Sequence, residues 1–178
     1  MTKPILFVWC ALSVACSASG LHAGAPRAAE VKRCAGGVAR SNAELTRYEG
    51  CARVDGDLAV VGVTSVNALA SLEQVTGKLR IENTERLYSL AGLESLRGAR
   101  ELTLRNNARL ISGDALRNLT QVGRVTISEN PRLSAGRGLL RGLSQSGAEV
   151  LLEHNAGLAA DGLGNFHPVP SRATLAQR

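Results

Sequence analysis

Arg86, Arg109 and Arg132 each stand immediately before a leucine (Leu87, Leu110, Leu133) and recur every 23 residues. A guanidinium is a planar fork of N–H donors matched to carboxylate or sulfate oxygens. Three of them at one position of a repeat would form a small anion-recognition strip for a glycan or a partner protein. Like charges facing each other across neighbouring strands repel, so the stack is tolerable only if its members splay into water or find acids. Glu82, Glu85 and Glu129 are near enough in the chain to serve. Solvated arginines are the plainer reading of the same residues.

Other chemistry is sparse. His154 and His167 stand isolated, and the chain shows no Ser-His-Asp set, metal-spaced cluster or phosphate-binding loop. A β-helix polysaccharide lyase would need clustered acids beside a basic catalyst, and here acids alternate with bases. We assign no catalytic residue, metal ligand or cofactor and expect no enzyme. Aromatic residues make up 3% of the chain, too few for the stacking platforms that bind nucleic acid.

The elements that position the arginines come from an internal repeat. An apolar-x-apolar phrase followed six residues later by another apolar residue reads Leu58-x-Val60 with Val66, Leu79-x-Ile81 with Leu87, and Leu102-x-Leu104 with Leu110. It continues as Val125-x-Ile127 with Leu133 and Val150-x-Leu152 with Leu158. Self-similarity at a period of about 20–50 residues marks a solenoid, whose units bury an apolar face only by stacking. The expected fold is an all-β solenoid of about five leucine-rich coils, with alternate strand residues pointing into the core.

Three further columns follow from the repeat. Asp57, Lys78, Glu101, Arg124 and Glu149 precede the five strands with alternating sign, a pattern that sets register. Asn107, Asn130 and Asn155, with Thr84 and Val63 earlier, fall three residues after the second apolar position. Asparagine there suits a left-handed turn and bonds to neighbouring backbone. Gly56, Gly77, Gly98, Gly123 and Gly147 precede the strands, where a tight corner would call for positive φ.

The start of the chain reads as an export signal: Lys3, an apolar run from Ile5 to Ala15, then small residues. The run is too short to span a bilayer, which takes about 20 apolar residues. Residues 1–25 are the expected signal peptide, 26–33 a linker, 34–163 the repeat domain and 164–178 a flexible tail. Leu12-Ser13-Val14-Ala15-Cys16 resembles a bacterial lipoprotein signal, which makes Cys16 the candidate lipidation site; plain cleavage and release is the other reading. Either places the protein outside the cytoplasm, secreted or lipid-anchored at a surface, with no transmembrane span. The formal charge of +6 falls by one with the signal, and it permits acidic partners without demanding them.

Cys34 and Cys51 remain beyond the signal, and an even pair in an exported chain favours a disulfide over free thiols or a metal. Between them Ser41-x-x-Glu44 is a capping-box pattern, followed by Leu45, Tyr48 and a Gly50 stop, which predicts a short helix over about 42–49. Helix and disulfide together would close the open end of the stack.

Cys34-Ala35-Gly36-Gly37, Leu45-Thr46-Arg47 and Cys51 to Leu58 resemble the opening of a receptor L domain, the leucine-rich repeat domain of insulin and epidermal growth factor receptor ectodomains. The triplets Val66, Leu69, Leu72, Val75 and Leu87, Leu90, Leu93, Leu96 carry the same family spacing. The resemblance implies a right-handed β-helix and extracellular recognition; the partner we expect is an extracellular protein or acidic glycan. No second L domain, cysteine-rich module or kinase accompanies it, so it does not imply growth-factor signalling.

Overall fold

A computed structural model describes residues 31–134, 141, 144, 147–155 and 158. The expected signal, Cys16, His167 and the tail 164–178 lie outside the described residues.

The chain builds one six-stranded parallel sheet whose strands lie side by side in chain order. They are β1 (Arg33–Ala39), β2 (Arg53–Val61), β3 (Gln74–Glu82), β4 (Gly98–Arg105), β5 (Gln121–Ser128) and β6 (Glu149–Glu153). Five of them carry the apolar-x-apolar phrase, in one register: Leu58, Leu79, Leu102, Val125 and Val150 align, as do Val60, Ile81, Leu104, Ile127 and Leu152. In β2 to β5 both positions are buried, and in β6 the same pair is half-buried against the core. Parallel neighbours require long crossovers. These connections lay their leucines on the core too, since Leu69, Leu72, Leu87, Leu90, Leu93, Leu96, Leu110, Leu116 and Leu119 are all fully buried.

Backbone hydrogen bonds join the connections outside the sheet as well. The N–H of Ile111 donates to Tyr88 O and that of Ser134 to Ile111 O, both at 2.9 Å. On the other side of the strands Arg97 N donates to Glu73 O at 2.8 Å and Thr120 N to Arg97 O at 3.0 Å. The repeats are therefore bonded to their neighbours at several points around the core.

β1 is an additional strand with no leucine phrase. It pairs with β2 through a bulge between Ala35 and Gly37. A Cβ at Gly36 would overlap Asp57 O, so only glycine lets the two backbones approach this closely. Backbone bonding between the first two strands begins before Cys34, where Lys32 O accepts from Ala52 N at 2.9 Å.

The predicted helix is a single α-turn, α1 (Asn42–Leu45), continued by a 3-10 turn at Thr46–Tyr48. Ser41 Oγ accepts from Glu44 N at 3.2 Å, while the Glu44 carboxylate reaches Arg40 N at 2.8 Å, one residue beyond the usual capping-box partner. Leu45 and Tyr48 point into the core. Cys34 on β1 and Cys51 after the 3-10 turn are joined by a disulfide, with their Cα atoms 6.0 Å apart.

Candidate recognition surface

Two ladders, a buried one of side chains and an outer one of backbone bonds, hold the turns that follow the strands. Asn107 Oδ1 accepts from Thr84 N at 3.2 Å and from Thr84 Oγ1 at 2.6 Å, and its Nδ2 donates to Ile81 O at 3.0 Å. Asn130 repeats this one rung on, accepting from Asn107 N at 3.1 Å and donating to Leu104 O at 3.0 Å. Asn155 accepts from Asn130 N and donates to Ile127 O at 2.7 Å. Thr84, Asn107 and Asn130 are fully buried, so this ladder is structural. The left-handed position is not the ladder residue but the one before it: Gly62, Asn83, Asn106, Glu129 and His154 all have φ between 50° and 65°. The second ladder is the backbone series at Tyr88, Ile111 and Ser134.

Arg86, Arg109 and Arg132 lie two residues past the first ladder and two before the second. Their backbones are thus stacked at one position of the repeat, with rungs about 4.8 Å apart. All three side chains are exposed, while Leu87, Leu110 and Leu133 beside them are buried. The acids nominated as partners do not pair with them. Glu129 bonds Arg105 at 3.5 Å instead, and among the described residues Arg86 and Arg132 have no hydrogen-bond or ion-pair partner. Arg109 is held by a tyrosine: its Nη1 donates to Tyr88 Oη at 2.7 Å, and its guanidinium carbon lies 5.9 Å from the ring centroid. That geometry combines a hydrogen bond with a cation–π contact.

The alternating column is different in kind. Lys78 Nζ meets Glu101 at 2.8 Å and Arg124 Nη2 meets Glu149 at 2.8 Å. The hydrogen bond to Glu149, and then the charge of that carboxylate, hold the Arg124 guanidinium above its ordinary range, with Glu101 adding to it. Asp57 departs from the pattern, because its carboxylate accepts from the backbone N–H of Lys78 at 2.8 Å. That contact also explains Gly77, where a Cβ would collide with the Asp57 carboxylate and with Gly56 O at 2.6 Å. Of the five glycines expected to precede the strands, Gly56, Gly77, Gly98 and Gly123 lie within β2 to β5, and only Gly56 and Gly147 have positive φ.

Residue-by-residue reading of the sequence missed Tyr88 and Ile111. Each follows a buried turn leucine directly, and each is 48% exposed, two of four large apolar side chains so exposed among the described residues. Their shared offset from Leu87 and Leu110 is the one signal that could have found them.

Among the described residues no group of His, Cys, Asp and Glu could hold a metal, and no helix is long and apolar enough to cross a membrane.

The model of one family, described as Receptor L domain, matches residues 50–140, just over half of the chain. The chain belongs to the receptor L domain family. No curated protein matches it.

Proposed function

We propose that this receptor L domain is an exported, non-catalytic recognition module that binds an acidic protein or glycan outside the cytoplasm. Its fold is then a short right-handed β-helix solenoid, closed at the amino end by α1 and the disulfide. Cleavage after the signal releases it, or lipidation of Cys16 tethers it to a surface. The receptor L domain is a ligand-binding module of extracellular proteins, and a Cys34–Cys51 disulfide suits an oxidising compartment.

The observation that carries the reading is the contrast between two columns. On the sheet face Lys78 pairs with Glu101 and Arg124 with Glu149, whereas among the described residues Arg86, Arg109 and Arg132 have no carboxylate partner and present donors to solvent. A preformed row of guanidinium groups favours carboxylate or sulfate groups, and its attraction weakens as salt rises.

Titration of the exported chain with a carboxylated polysaccharide and with an acidic protein, at low and high salt, tests this. Saturable, salt-weakened binding with no new unsaturated sugar ends is the expected result. Accumulating unsaturated ends would replace recognition by lyase chemistry. No saturable ligand at either salt would leave a purely structural envelope protein.

A further inference from the structure

We infer that Tyr88 and Ile111, framed by Arg86, Arg109 and Arg132, form the apolar centre of a docking surface for an acidic polypeptide segment that also carries an apolar side chain. The inference rests on the reading of the arginine column as an anion-binding strip, and it names the kind of anion.

Tyr88 and Ile111 occupy the same position on adjacent rungs, tied by the bond from Ile111 N to Tyr88 O at 2.9 Å. Side chains so placed are direct neighbours about 4.8 Å apart. Single exposed apolar residues are ordinary on a surface. Two stacked side by side and bordered by arginines are a composition enriched at protein interfaces, where tyrosine and arginine dominate binding energy.

The geometry favours polypeptide over sugar. A pyranose ring stacks flat against an open aromatic face. Arg109 already holds the Tyr88 hydroxyl, with its guanidinium carbon 5.9 Å from the ring centroid, and Ile111 offers no flat face at all. An aliphatic or aromatic side chain can pack in the angle between Tyr88 and Ile111 while flanking carboxylates reach Arg86 and Arg132. The charge of the strip argues against a second copy of this chain seated strip to strip, which would oppose like charges. The hydrogen bond to Tyr88 also fixes Arg109, so less rotamer freedom is lost on binding.

Three probes separate the alternatives: poly-glutamate, a synthetic peptide alternating glutamate with leucine at the same total charge, and a sulfated heparin fragment. The alternating peptide should bind tightest. Ile111→Ser should weaken it roughly tenfold, as losing an interface anchor does, and leave poly-glutamate unchanged. Serine is already the native residue at the next rung, Ser134, and the Ile111 side chain is exposed, so this variant should fold; its melting curve checks that. Equal binding of poly-glutamate and the alternating peptide, untouched by Ile111→Ser, would overturn the inference and leave the anion strip standing. A heparin fragment bound tightest, and lost in Tyr88→Ala, would make the site a glycan site and equally overturn it. Failure of all three probes to bind would remove both the docking surface and the strip.

Discussion

The backbone N–H of Asn107 donates to Asn130 Oδ1 at 3.1 Å, with both residues fully buried. The bond satisfies, from a neighbouring rung, an amide that the strand pairing leaves open. Replacing Asn130 by alanine leaves that amide without its acceptor. Each buried group left unpaired costs about 1–3 kcal/mol, so Asn130→Ala should lower the urea midpoint sharply with little change in slope. A variant as stable as the parent would mean that water or another group replaces the amide side chain.

Leu104 lies fully buried between Ile81 and Ile127 in the strand register. Leu104→Ala should cost about 2–5 kcal/mol. Leu104→Asp places an unpaired charge in the same stack and should abolish the cooperative melt. Thermal unfolding followed by circular dichroism separates the two, and an unchanged melt for the aspartate variant would contradict the register.

Non-reduced exported protein should contain no free thiol at Cys34 or Cys51 by mass spectrometry. The bond closes a separation of 17 residues, worth about 3 kcal/mol in the chain-entropy account. Cys34→Ser with Cys51→Ser should therefore lower stability by about that amount and expose the lid to proteolysis first. Two alkylatable thiols in the untreated protein would remove the argument for an oxidising compartment.

Arg109→Glu and Arg124→Glu change charge equally but on different columns. Arg109→Glu should abolish most binding to an acidic partner and hardly move the melting temperature. Arg124→Glu faces Glu149 directly and has Glu101 one rung away, so it should lower the melting temperature at low salt and change affinity less. Equal effects of the two on affinity would return the arginines to ordinary solvated residues.

Much of the fold was legible because alternation with period 2 leaves no freedom once one face is buried. Leu58 and Val60 and their four counterparts announce both the strands and their alignment. β1 was not legible, since Arg33–Ala39 carries two glycines and no leucine, and its place is set by the disulfide and by the close approach at Asp57. The left-handed turns were displaced by one residue for a related reason. Asparagine is favoured both for positive φ and for backbone bonding, and only the three-dimensional arrangement distributes the two tasks between Asn106 and Asn107. The arginine column was readable from spacing alone, but Tyr88 as the partner of Arg109 was not, because one residue pair across a 21-residue separation leaves no periodic trace.

The asparagine ladder has a direction. Thr84 waits for Asn107, Asn107 for Asn130 and Asn130 for Asn155; in each case the later residue completes the earlier one. As a chain emerging amino end first lays down this stack, every newly docked rung closes the open amide behind it and leaves one open ahead. A stack cut short at its carboxyl side would therefore bare one buried amide at its new end, and the side chain that closes that amide comes from the rung removed.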